Sequence, residues 1–483
     1  MSSYRAVATQ PSTVKHALSM KGRVVIDTQS RSAVSAQNTE PQLKKTLKAR
    51  HLSMIAMGGA IGAGLLVGSS TAIATAGPAV ILTYLIAGLV LFVVMRMLGE
   101  LASLSPETGS FSTYAYRYIA PWAGFTVGWL YWWFWAVTAA IEATAAAVII
   151  TGWLPGLSQW VVAAALMVFF GAANLLSVKS YGEAEFWFSS IKIAAISTVM
   201  IIGVVALAGG FPVTHASFTN LTVGGGFFAH GIGGVFTALL AVIFSMFGAE
   251  IATIAAGESE NPREAVIKAV NSVVFRILLF FVGAVAITIT VVPWTSITPG
   301  ISPFVTMLQS LHIPYVSTVM SIVVLTALLS CLNASIYSSS RMVYSMSLIK
   351  DAPASFSAVS RAGSPRVAVL ATAVVGLAAT MLNYFMPEQV FSFLVNTTGA
   401  VGIFVWLIIA VSHLRSRRIH PLSEQDAGEV LRVRTYPYIN WALIVFLVGL
   451  LIFMGVTETH RQEVLISTGV AAVVALVGVL RHR

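Results

Sequence analysis

From Leu52 to its end the chain alternates long apolar stretches with short polar ones. A helix needs roughly 20 predominantly apolar residues to cross a bilayer. Twelve segments meet that measure, beginning near Leu52, Ala79, Ala120, Gln159, Glu183, Gly231, Val273, Tyr315, Val367, Val390, Ile439 and Val464. The pattern predicts an all-α polytopic membrane protein with 12 transmembrane helices, and an even number puts both ends on one side. Composition agrees. Of the 483 residues, 57% are hydrophobic and 10% charged, with a mean hydropathy of +0.85, whereas a soluble domain carries about 25% charged residues.

Two of the apolar stretches are weakened in the middle. In the first, GGAIGAG (Gly58 to Gly64) places a cluster of glycines at membrane depth. Irregular backbone survives there only where protein or a water-filled cavity meets it, and broken helices of this kind hold the substrate in many secondary transporters. An inverted repeat would place a second interruption in the sixth stretch. FSMFGAEIATIAAGE (Phe244 to Glu258) contains Gly248 and Gly257 and carries Glu250 where a carboxylate is costly. An ionisable residue in a span is a functional hypothesis by default. The competing reading of Glu250 is a structural carboxylate held by hydroxyls or by freed backbone amides.

Further charges fall inside apolar stretches. Glu142 follows the aromatic block GWLYWWFW (Gly128 to Trp135) and lies two turns beyond Trp135, on roughly the same helical face. Lys192 lies in EFWFSSIKIAA. Desolvation penalises the charge of a lone ammonium, which makes Lys192 a candidate for exchanging a proton, although a lysine can also snorkel to the interface. Arg96 and Glu100, four residues apart, have the spacing of a structural pair.

The net charge of +10 reports orientation. Lys44, Lys45, Lys48 and Arg50 precede the first segment. Later clusters fall in every second connection: Arg117; Lys179; Arg263 with Lys268; Lys350, Arg361 and Arg366; Arg415, Arg417, Arg418, Arg432 and Arg434; then Arg481 and Arg483. The opposite connections carry Arg461. By the positive-inside rule both termini are cytoplasmic, and nothing in the charge pattern calls for nucleic acid. Residues 1–43 are polar and mildly basic and read as a disordered cytoplasmic tail. The one cysteine, Cys331, reads as a small buried side chain. The histidines are at none of the spacings that metal sites use, and no cofactor is implied. Two polar segments read as short amphipathic helices on the cytoplasmic surface: Ser105 to Tyr118, and ENPREAVIKAV (Glu260 to Val270), where Asn261, Pro262 and Glu264 make an N-cap, a first-turn proline and a capping-box acid.

The motifs GGAIGAGLLVGS, AGPA, MRMLGELA, ETGSFSTYA, GWLYWWFW, YGEAEFWF and ESENPREA, in this order and over nearly the whole chain from Lys44 to Leu480, resemble the amino acid transporter branch of the amino acid–polyamine–organocation (APC) superfamily. PWAGFTVGWLYWWFW, NLLSVKSYGE, SCLNASIYSSSRMVYS and AVSHLRSRR are most similar to the γ-aminobutyrate (GABA) permeases of bacteria.

The resemblance implies a 5+5 inverted repeat in a ten-helix core over 44–414, with helices one and six discontinuous and two trailing helices over 415–483. Carried over by position, Gly62, Ala63 and Gly64 would offer amides to the substrate carboxylate. Carbonyls at Ala60 and from Phe244 through Ser245 to Phe247 would take its ammonium, and an ammonium three carbons from its carboxylate, as in GABA, would reach past them toward Glu142 or Glu250. Relatives with serine at the position of Ala63 can add a hydroxyl, which this chain lacks. Lys192 matches a lysine that stands where sodium-coupled cousins bind sodium. The resemblance thus implies symport of a small amino acid, GABA foremost, with protons across the bacterial cytoplasmic membrane, with Lys192 and either Glu250 or Glu142 as proton carriers. Other readings are a permease for proline, alanine or an aromatic amino acid and, from another class, a channel or a membrane amino-acid sensor.

Overall fold

The computed structural model describes Met54 and, from Met57 to Arg483, all residues except 108, 176–177, 212–215, 256–258, 260, 314, 361–362, 386–389 and 423–429. The proposed tail over 1–43, and with it Lys44, Lys45, Lys48, Arg50 and His51, lies outside the described residues.

Among the described residues the regular structure is helical, with one isolated β-bridge, Val359 to Pro365. Residues 57–60 are helical, the chain breaks at 61–62, and helix resumes as α1 (Ala63–Leu66) and α2 (Gly68–Ala76). A turn at Gly77, with φ +62°, leads into α3 (Val80–Leu104). The short helix α4 (Phe111–Tyr118), with Phe111, Ser112, Tyr114, Ala115 and Tyr118 buried, follows, then α5 (Pro121–Trp153), α6 (Gln159–Asn174) and α7 (Val178–Leu207). The second interrupted stretch is α8 (Gly231–Thr237), α9 (Leu239–Met246) and α10 (Ile251–Ala255), broken at 247–250. After it come α11 (Pro262–Val291), α12 (Pro303–Ser310), α13 (Val316–Leu348), α14 (Arg366–Thr380), α15 (Leu382–Phe385), α16 (Val390–Ile419), α17 (Tyr438–Val456) and α18 (Arg461–Arg481).

Among the described residues nine helical stretches are long and apolar enough to cross a membrane, and Gln159–Asn174 and Gly231–Met246 are shorter apolar helices. Apolar side chains on the outer helices stay exposed, such as Val445 and Ile452 on α17 and Leu465 and Val473 on α18. A hydrocarbon solvent satisfies such side chains. The interior is built around α5, which packs most extensively on α13 and also on α16. Its GWLYWWFW block has mixed fates: Tyr131, Phe134 and Trp135 are buried, while Trp129, Trp132 and Trp133 are half-buried.

Two expectations change. The segment after the sixth stretch is no separate surface helix, because helix runs unbroken through Pro262–Val291. Asn261 does sit at its N-cap and Pro262 in its first turn, but the asparagine makes no capping bond. Nor do Arg96 and Glu100 pair. Arg96 donates to Asn271 Oδ1 at 2.9 Å and reaches Arg432 O at 3.4 Å. Glu100, fully buried, takes a two-pronged contact from Arg417, whose Nη2 lies 3.1 Å from Oε2, together with the Val433 amide at 2.6 Å. His413 Nε2 faces it at 3.1 Å. A helical i, i+4 ion pair is worth only about 0.3–0.5 kcal/mol, so a bidentate guanidinium and a backbone amide displace it.

Candidate functional site

The two breaks lie side by side. Gly248, at φ +127°, falls in the left-handed half of backbone space. A Cβ built on it would come within 2.8 Å of the Gly59 carbonyl group, so glycine is required twice over, for conformation and for approach. Gly64 is needed for approach alone. A Cβ there would meet Ser245 Cα at 2.5 Å, where α1 crosses α9.

Between the breaks is a cavity of about 10 Å³, room for about one water. Ala60, Gly62, Gly64, Glu142, Phe244, Ser245 and Phe247 line it, as do Phe134, Trp135, Thr138 and Cys331. Every residue expected to touch substrate is thus gathered here except Ala63, whose amide points at the Glu142 carboxylate. Lys192 and Glu250 stand behind the lining.

The first break frees backbone groups at both of its ends, and side chains from other helices take them up. Ala63 N donates to Glu142 Oε1 at 2.9 Å and to Oε2 at 3.0 Å. On the opposite side of the break the freed groups are carbonyls. Gly58 O accepts from Lys192 Nζ at 2.7 Å, and Gly59 O accepts from Cys331 Sγ at 3.4 Å. Ala60 O accepts from Gly62 N at 3.2 Å. An anion at freed amides and a cation at freed carbonyls is the arrangement the peptide dipoles favour.

The second break is held mostly from within. Glu250 Oε2 accepts from Gly248 N at 2.7 Å, and Oε1 accepts from Trp406 Nε1 at 2.6 Å. Both oxygens therefore have strong donors. Phe247 is stacked on Trp406, with centroids 5.5 Å apart and planes 19° apart, and its centroid lies 4.0 Å from that of Phe134, with the rings tilted by 34°. Phe244 O accepts from Phe247 N at 3.2 Å, and the Ser245 hydroxyl turns back to Val242 O at 2.7 Å. A carbonyl oxygen has two lone pairs, so Phe244 O and Ala60 O each keep acceptor capacity toward the cavity.

Sequence reasoning missed three groups. Glu185 is fully buried, with Oε1 3.9 Å from Lys192 Nζ. It lies seven residues before Lys192 on one face of α7, a spacing that could have flagged it. Cys331 was read as filler, yet it lines the cavity. Trp406 carried no local signal, since its partner Glu250 is 156 residues away.

The amino acid permease family model matches residues 51–482. The chain is 45% identical to the probable GABA permease of Pseudomonas aeruginosa, over 90% of this chain and 92% of that protein. It is 43% identical to the γ-aminobutyric acid permease of Bacillus subtilis, over 91% and 94%. The aromatic amino acid transport protein AroP of Escherichia coli K12 is 38% identical over 88% and 92%. Among solved structures the fold is similar to an Eremococcus coleocola manganese transporter crystallised with an aromatic bis-isothiourea compound, at TM-score 0.55 and 14% identity, covering 89% of this chain and 92% of that one. At that identity the likeness concerns fold alone.

Proposed function

Because this chain belongs to the amino acid permease family, we propose that it imports GABA across the bacterial cytoplasmic membrane in symport with protons. Family membership and the nine apolar helices make it a multi-pass membrane protein and a permease, not an enzyme. The finer architecture is part of the proposal. The nine long helices, the two shorter ones and the broken first helix make twelve spans. The core over 44–414 is a 5+5 inverted repeat, 415–483 holds the trailing pair, and both termini, with the tail over 1–43, are cytoplasmic.

The observation that carries the reading is the paired break, where freed amides and freed carbonyls face one small aromatic-walled cavity. A zwitterion needs both. The carboxylate would rest on the amides of Gly62, Ala63 and Gly64, and the ammonium on the carbonyls of Ala60 and Phe244. To seat it, Glu142 must give up the Ala63 amide, and it then stands as a free anion within reach of a chain-terminal ammonium. An amino group three carbons from its carboxylate can use an anion placed that far along; an α-amino group cannot. Lys192, which holds Gly58 O, is the proposed centre of coupling, while Glu250, with both oxygens engaged, is assigned to holding the second break. The walls formed by Phe134 and Phe247 favour a slim substrate over an aromatic one, although relatives named for aromatic transport are similar at 38%.

Uptake of radiolabelled GABA into proteoliposomes, competed with a panel of amino acids under an imposed pH difference, tests the proposal. GABA should compete best, and acidifying the outside should drive accumulation. Stronger competition by phenylalanine would reassign the substrate. In Lys192→Ala, accumulation should collapse while counterflow exchange persists; accumulation that survives would remove Lys192 from coupling.

A further inference from the structure

Lys192 does not stand alone behind the first break. Glu185, Ser189 and Lys192 lie on one face of α7, and all three are buried. Glu185 accepts from Ser330 Oγ of α13 through both oxygens, at 2.9 Å each, and from Ser189 Oγ at 3.2 Å. Nothing in the import reading uses this carboxylate. It nevertheless joins three moving parts of such a machine: α7, α13 and, through Lys192 and Gly58, the first break.

The two charges have different neighbours. Among the described residues the partners of the Lys192 ammonium are Gly58 O and Glu185 Oε1, and both are acceptors only. They suit one charge state. Around Glu185 the other partners are hydroxyls, which donate or accept by turning one hydrogen. Ser189 already has a second acceptor in place, Met54 O at 2.9 Å. When Glu185 gains a proton, Ser189 can send its hydrogen to Met54 O and receive the new one. The cluster can therefore satisfy Glu185 with or without a proton, which a buried polar group requires. The other titratable groups facing this pocket are Cys331 of α13 and, across the break, Glu142 of α5. Arg276 of α11, which packs on α7, reaches Met57 Sδ at 3.9 Å.

We propose that Glu185 carries the coupling proton and that Lys192 is its fixed counter-charge. The inference rests on the symport reading above. An ionised Glu185 neutralises the ammonium. A proton taken from the outside medium onto a Glu185 oxygen leaves the Lys192 charge, held on Gly58 O, uncompensated, and the substrate carboxylate on the amides across the break is then the anion that balances it. Release of that proton to the cytoplasm restores the pair and loosens the substrate. Proton and substrate then favour each other's binding, which is what symport requires.

The test compares wild type, Glu185→Gln and Lys192→Arg in proteoliposomes, reading GABA accumulation under a pH difference and counterflow exchange as a function of pH. Glu185→Gln should lose accumulation by about tenfold or more, within the usual range of coupling between two sites, while its exchange continues and no longer varies with pH. Lys192→Arg should keep pH-dependent exchange, because a guanidinium does not deprotonate in proteins. Accumulation by Glu185→Gln, or exchange by Lys192→Arg that is flat with pH, overturns the proposal. A wild-type protein indifferent to the pH difference overturns the symport reading itself. Since an unpaired ammonium can destabilise Glu185→Gln, difference infrared spectra of wild type and Glu185→Asp give a second readout. A titrating carboxylic C=O band should shift in the aspartate variant, and an unshifted band rejects the assignment.

Discussion

At residues 61–62 the backbone is held by groups borrowed from elsewhere. Glu142 comes from α5, Lys192 from α7 and Cys331 from α13. At 247–250 one tie is local, Glu250 closing on the Gly248 amide two residues back, and one is borrowed, Trp406 of α16 donating to its other oxygen. A local bond travels with its segment when helices shift, whereas a bond to another helix is exchanged when the two part. By this measure the first break, tied to three other helices, is the more adjustable half of the site, and the second, with a bond inside its own segment, the more fixed.

The heaviest blow to this arrangement should be Gly64→Val. The added side chain collides with the Ser245 backbone and forces α1 and α9 apart. Overpacking of this kind costs about 1–3 kcal/mol. Uptake should be abolished and the melting temperature in detergent lowered; wild-type uptake by the variant would mean that the breaks do not form the site. Next is Glu142→Gln, which keeps an oxygen for the Ala63 amide but removes the anion. The KM for GABA should rise on the order of tenfold, the equivalent of about 1.4 kcal/mol, and by less for any transported α-amino acid. Equal losses for both would assign Glu142 to structure and blur the contrast between adjustable and fixed halves.

Glu250→Gln should separate stability from transport. A glutamine can accept from Trp406 or from the Gly248 amide, but it presents its own NH2 to the other, and a buried unsatisfied donor costs about 1–3 kcal/mol. Thermal denaturation should show that loss while pH-driven accumulation remains. If coupling vanishes instead, the second break is not a passive clamp. Gly59→Ala should have the smallest effect. The nearest obstacle to its Cβ is Ile251 Cδ1 at 2.6 Å, the far end of a flexible side chain that can turn away. Transport near the wild-type rate is the expected result, and a null phenotype would put a rigid contact five residues earlier than Gly64.

Much of this was legible from local pattern. Glycines inside an apolar run betray a weak helix, and the breaks fall where GGAIGAG and FSMFGAE place them. Buried charges stand out against 57% hydrophobic residues, so Glu142, Lys192 and Glu250 were visible as exceptions. Their partners were not. The Ala63 amide lies 79 residues from Glu142, and Arg417 lies 317 from Glu100. Hydropathy and helical spacing carry no information on contacts of that range. The misread Arg96–Glu100 pair shows the cost of trusting a weak local rule where a strong distant partner exists. Glu185 was overlooked for the opposite reason, since its spacing from Lys192 was in plain view and it opens the very segment, EFWFSSIKIAA, that was read for the lysine alone.

The narrowness of the cavity has an electrical consequence. With space for about one water between the two breaks and the rings of Phe134, Phe247 and Trp406 packed against one another beside it, this cavity holds no continuous file of waters. Protons cross such a layer only on a side chain that moves. In this conformation the gap between the breaks is closed, and it offers ions no aqueous path through that cavity.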